Sequence, residues 1–105
     1  MMRLRRWMFP IVFALVCGVS SAQEHNVRPP RGLVPDARTA IAIAVAIWTP
    51  IYGEKVIAAE KPYVATLEHG QWTVRGSLPE GWMGGVAIAV ISKSDGRVLR
   101  VSHGK

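Results

Sequence analysis

The chain has 105 residues, half of them hydrophobic, one cysteine and a formal net charge of +6. That length holds one domain with one modest core. Three of the arginines stand in the first six positions and the cysteine, Cys17, falls in the apolar stretch behind them. The rest of the chain therefore carries no strong basic excess that would point to nucleic acid, and no disulfide, thiol nucleophile or Cys-ligated metal.

Residues 1–22 read as a secretory leader. Met1-Met2-Arg3-Leu4-Arg5-Arg6 is basic, residues 7–19 are mostly apolar, and Ser20-Ser21-Ala22 puts small residues where a signal peptidase needs them. Cleavage is expected after Ala22, with the mature protein in the periplasm or secreted. The apolar run is shorter than the ~20 residues of a spanning helix, so no membrane span is expected after cleavage. Val16 before Cys17 is a poor fit to a lipidation site, which wants a small residue there.

Residues 23–33, with Pro29-Pro30 and Gly32, read as a flexible or polyproline-like lead-in. A single α+β domain is expected over residues 34–105. Asp36 is a good helix N-cap. Residues 37–49, ARTAIAIAVAIWT, read as a helix, because alanine favours it and Ile41, Ala44, Val45 and Trp48 follow the i, i+3, i+4, i+7 rule. Ile43 and Ile47 widen its apolar face, which predicts deep packing in the concave side of a curved sheet. Pro50 is expected to end or kink it, with Ile51-Tyr52-Gly53 as connector. Residues 54–60 read as a short second helix with Val56, Ile57 and Ala58 inward, stopped by Lys61-Pro62.

Two hairpins follow. Residues 63–68 and 71–77 alternate around His69-Gly70, with Tyr63, Ala65 and Leu67 on one face of the first and Trp72 and Val74 on one face of the second. Residues 86–92 and 97–103 flank Lys93-Ser94-Asp95-Gly96. The strand at 86–92 is apolar on both faces, so it must be covered twice or lie centrally. Such short connections make the sheet an antiparallel meander. The fold class is thus α+β: one long and one short helix on a four-stranded sheet.

Sites of chemistry are sparse. His69 and His103 have no carboxylate or second histidine at ligand spacing and read as solvent-facing. No carboxylate pair is visible among Glu24, Asp36, Glu54, Glu60, Glu68, Glu80 and Asp95. Gly81-Trp82-Met83-Gly84-Gly85 precedes a strand rather than a helix, so it is a bend or bulge and not a phosphate cradle. No metal, cofactor or catalytic residue is expected. Trp82 is either a lid on the core or an exposed anchor for a partner. The candidate partner contacts are Glu80, Trp82 and Met83 in the 78–85 loop and Arg75 on the sheet.

Several short stretches, in this order, carry a resemblance: Val34-Pro35-Asp36 before the Ala/Ile helix, Pro50-Ile51-Tyr52-Gly53-Glu54, Glu60-Lys61-Pro62-Tyr63, Trp72-Thr73-Val74-Arg75-Gly76, Leu78-Pro79, Gly84-Gly85, Ile91 through Leu99, and His103-Gly104-Lys105. Together they resemble the bacterial immunity proteins of nuclear transport factor 2-like, or cystatin-like, fold. The resemblance implies a small cone-shaped domain that binds a cognate toxin of a polymorphic toxin system and is not an enzyme. Export would restrict it to toxins acting in the cell envelope. A weaker resemblance, to PepSY-type domains, rests on the helix-then-hairpin order and the strand-turn-strand at 89–98, and implies an exported protease-inhibiting or regulatory module. The fold would also allow a small-molecule pocket in the concave side of the sheet.

Overall fold

The computed structural model describes residues 25–104. The leader expected at residues 1–22, its cleavage after Ala22, and Cys17 lie outside the described residues. Among the described residues no helix is long and apolar enough to cross a membrane.

The chain forms α1 (Ala37–Tyr52), α2 (Glu54–Ala58), β1 (Val64–Glu68), β2 (Gln71–Arg75), β3 (Ala87–Ser92) and β4 (Val98–His103). Asp36 caps α1 as expected: its Oδ1 accepts from the Thr39 backbone N–H at 2.9 Å and from the Thr39 hydroxyl at 2.6 Å. That hydroxyl bond, followed by the backbone bond, holds the Asp36 carboxyl below its ordinary range. The helix does not stop at Pro50. It continues to Tyr52, where Gly53 closes it with an N–H bond to the Thr49 carbonyl at 2.9 Å. Pro50 lies in the last turn and both it and Ala46, the residue a turn earlier, are exposed, so water can take the single carbonyl that proline leaves without a donor. Ile51 and Tyr52 are therefore helix rather than connector.

The sheet is antiparallel in the order β1-β2-β3-β4. The His69-Gly70 turn has positive φ at both residues, +52° and +75°, which matches the twist of the flanking strands. Along β3, Ala87, Ala89 and Ile91 are buried while Ile88, Val90 and Ser92 are half-buried. The strand is central, with one face under α1 and the other open. In register across that open face stand Val64, Arg75, Ile88 and Ser102, then Thr66, Thr73, Val90 and Arg100. A bulge at Leu99 in β4 shifts the register between Val90 and Ile91.

The core lies between α1 and the covered face. Ala40, Ala44 and Trp48 are fully buried on the helix, against Trp72, Val74, Ala87, Ala89 and Ile91 on the sheet. Ile41 and Val45, placed at the centre of the predicted face, flank this line and are partly buried. The two alanines let the helix axis approach the strands, and Trp48 fills the space beyond them. Both buried indoles are satisfied: Trp48 Nε1 donates to the Ile88 carbonyl at 3.3 Å and Trp72 Nε1 to the Val34 carbonyl at 2.8 Å.

The lead-in is tied down where it meets the domain. Leu33 and Val34 donate to the Ser94 and Lys93 carbonyls, each at 3.0 Å. Gly32, at φ +86°, passes so close to the Lys93 carbonyl that a Cβ would collide with it. Of the α2 residues expected inward, only Ile57 is buried. Val56 and Ala58 face outward, since a single short turn presents one position to the core.

Candidate functional site

A concavity of apolar character opens where β3 begins and β4 ends. It has a volume of about 390 Å³ and lies between α2 and the 78–85 loop, with Val56, Leu78, Pro79, Trp82 and Met83 around it and Glu60 and His103 at its base. That volume falls within the range of ligand and side-chain pockets.

Local chemistry explains the loop. Trp82 N–H donates to the Pro79 carbonyl at 3.0 Å and closes a turn in which Gly81 holds φ +83°. A left-handed value there is available to glycine without strain. The turn throws the next two side chains outward: Trp82 is 68% exposed and Met83 93%. Of the two roles considered for Trp82, a lid on the core is therefore ruled out by its position. Glu80 is exposed on the same turn but does not line the cleft. Arg75 is exposed on β2 between Val64 and Ile88, on the open face of the sheet, away from the cleft. The four candidate contacts thus fall into two groups, with Trp82 and Met83 on the cleft, Glu80 beside them, and Arg75 apart.

The base of the cleft holds an arrangement that sequence reasoning missed. Glu60, only 7% exposed, is the buried charged residue of the described chain. Its Oε1 accepts from the buried Ala87 N–H at 2.8 Å, and its Oε2 faces His103 Nε2 at 2.8 Å. The other imidazole nitrogen, Nδ1, lies 2.7 Å from the Gly104 carbonyl. Both nitrogens face acceptors, so the ring satisfies both only as the imidazolium, donating in each direction. The Glu60 carboxylate first, and then the Gly104 carbonyl, raise the His103 pKa above its ordinary 6.5. Tyr52 from the last turn of α1 packs on the imidazole with ring centroids 5.0 Å apart. Gly76 makes room for the carboxylate, since a Cβ there would overlap it. His103 is thus not a free solvent-facing residue, and a histidine–carboxylate pair does exist.

The pair has the geometry of a clamp. It ties the end of α2 to the start of β3 and the end of β4, and the Ser77 N–H adds a bond to the Glu60 carbonyl at 2.7 Å. Among the described residues no hydroxyl, thiol or amine side chain lines the cleft beside it. With both nitrogens engaged, the imidazole is not presented to a substrate in this arrangement. Among the described residues no group of three or more metal-ligating side chains gathers. What the site offers is apolar surface held by a rigid charged base. The signal that could have found the pair is parity: His103 shares the covered face with Val101 and stands opposite Ala87, so it needs a buried acceptor.

Comparison with known proteins gives the following. A family model described as NTF2 fold immunity protein matches residues 39–105. The "Uncharacterized protein YhhH" of Escherichia coli (strain K12) is 37% identical over 76 residues, covering 71% of this chain and 60% of that protein. The "Uncharacterized protein YbbC" of the same strain is 44% identical over 55 residues, covering 51% of this chain and 45% of that one. The chain therefore spans about half the length of the curated relatives it matches. No solved structure matches it.

Proposed function

This chain belongs to the NTF2 fold immunity protein family, and from that premise we propose that it neutralises a polymorphic toxin in the cell envelope, gripping it at the apolar cleft beside the 78–85 loop. Family membership itself supports a toxin-neutralising role in general and a non-enzymatic one. The match falls on the first of the two resemblances drawn from the sequence.

One observation carries the assignment of the surface: an exposed Trp and an exposed Met stand together on the rim of an apolar cleft. Exposed apolar groups that no fold contact requires mark an interaction surface. Trp is the side chain most often found as an interface anchor, and Met adapts its shape to a neighbour. Glu80 is placed to make a rim contact. Arg75 contributes only to a partner that also reaches the open face of the sheet. The envelope location is supported by the basic, apolar, Ser-Ser-Ala order of residues 1–22.

The test is a protection assay. Each candidate toxin from the genes adjacent to this one is expressed with an export signal, and the full chain is co-expressed. Growth should be restored by the full chain and not by a chain lacking residues 1–22. Rescue by the leaderless chain alone would overturn the envelope location. Failure of both, with the proteins present, would overturn the immunity reading.

A further inference from the structure

A second concavity lies at the opposite end of the sheet, where β3 ends and the β1–β2 turn and lead-in converge. Its volume is about 490 Å³. Arg31 from the lead-in, His69 from the β1–β2 turn, and Lys93 and Arg97 from the β3–β4 turn all line it, joined by the hydroxyls of Ser92 and Ser94. Among the described residues no carboxylate lines it. The carboxylates nearest in the chain lie outside the cleft: Glu68 precedes His69 on β1, and Asp95 and Asp36 each make a local hydrogen bond while feeling the charge of Arg97 and Arg31. Asp95 accepts the Arg97 backbone N–H at 3.0 Å, and Asp36 caps α1 through Thr39.

We infer that this basic cleft is a binding site for an acidic segment of a protein partner. The cleft is built by tertiary contacts and does not come from a charge run. Arg31 is brought to Lys93 across 62 positions of sequence, and the Lys93 ammonium donates to the Arg31 backbone carbonyl. The Leu33 and Val34 backbone bonds fix the same junction. Asp36 and Asp95 offset part of the charge of Arg31 and Arg97, but the lining itself carries three permanent cations, which a carboxylate-bearing ligand complements. The guanidinium forks of Arg31 and Arg97 suit carboxylates, and the Ser92 and Ser94 hydroxyls, bonded to each other at 3.2 Å, leave at most one proton to donate to them. An acidic peptide fits better than a nucleic acid, because His69 is the one aromatic ring among the described lining residues and no Trp, Tyr or Phe joins it to stack successive bases. This surface is separate from the Trp82 cleft and does not depend on the toxin-binding role assigned to it. Sequence reasoning saw only charges scattered along the chain.

The probe is a synthetic hexaglutamate peptide titrated calorimetrically into the full chain, with its mature form as a second sample. Binding is expected at low ionic strength, weakening about tenfold or more between about 50 and 500 mM NaCl. The double variant Arg31→Gln/Arg97→Gln should lose about tenfold or more in affinity at an unchanged melting temperature. Arg75→Gln/Arg100→Gln, which removes two charges from the open sheet face, should leave it within about twofold. No binding of hexaglutamate at low salt would overturn the proposal. So would an equal loss in the two double variants, which would mean attraction to net charge alone. Tighter binding of a single-stranded oligonucleotide or of anionic vesicles than of the peptide would replace the acidic protein segment with that other partner.

Discussion

The α1–sheet interface and the 78–85 loop are both apolar and both carry tryptophan, yet they are built to opposite ends. In the first, Trp48 and Trp72 are buried and each donates its indole N–H to a backbone carbonyl. In the second, Trp82 and Met83 stand in solvent at the rim of a cleft. A chain of this size needs its apolar residues for its own core. Two of the largest left outside therefore point to a contact made after folding. The Glu60–His103 clamp lies between the two regions: it is fold on one side and the base of the cleft on the other.

The largest expected effect breaks the first region. Trp48→Ala removes a fully buried side chain between α1 and β3. It should cost ~3–5 kcal/mol, close to the whole stability of a small domain. Loss of a cooperative thermal transition in far-UV circular dichroism is the expected result. A charge at Ala44, which is fully buried, should be worse than one at Val45, which is only partly so.

Next comes the clamp. Glu60→Ala leaves the buried Ala87 N–H without its acceptor and His103 without its partner, for an expected loss of about 2–3 kcal/mol by denaturant titration. Gly76→Ala should destabilise through the same atoms, because its Cβ displaces the carboxylate. Glu60→Gln should be milder. Its amide oxygen can still accept from Ala87 and its amide nitrogen can donate to a neutral imidazole.

The clamp also sets a pH dependence. The His103 pKa is raised above 6.5 in the fold, so its contribution is fully present below 6.5 and is lost as pH rises through the raised value. The melting temperature should therefore fall by a few degrees across that window, and Glu60→Gln should flatten the slope. Asp36 and Asp95 are held below their ordinary 3.8, so their contributions are constant there and disappear only in acid. The Tyr63 phenol, raised above 10.0 chiefly by desolvation, destabilises the fold only at higher pH. A flat profile in the wild type would contradict the imidazolium assignment.

Much of this fold is legible in the sequence because its causes are local. Asp36 names the start of α1, and His69-Gly70 and Asp95-Gly96 name the hairpin turns. Period-2 alternation in residues 71–75 gives the covered face of β2, whereas β3, apolar at every position from Ala87 to Ile91, shows its central place and not which of its faces α1 covers. What escapes is what depends on distance along the chain. Glu60 and His103 are 43 residues apart, and neither sits in a local motif. Arg31, His69, Lys93 and Arg97 come from three connections that meet only once the sheet is formed. Pro50 misled because a proline in a last, solvent-facing turn leaves only one carbonyl without its donor. Trp82 was ambiguous for another reason: composition gives an apolar residue in a glycine-rich loop, while the direction it faces follows from the φ of Gly81 and the bond from Trp82 to Pro79.

The smallest effect on the fold is the one that decides the comparison. Trp82→Ala should leave stability within about 0.5 kcal/mol, as for other surface positions. The measurement to make is the affinity of wild type and of Trp82→Ala for a toxin against which the full chain protects, by calorimetry, with a melting curve on each sample. A loss of ~2 kcal/mol or more in binding at an unchanged melting temperature is the predicted result. Undiminished affinity, or a loss that only follows a fall in melting temperature, would contradict the cleft as the gripping surface.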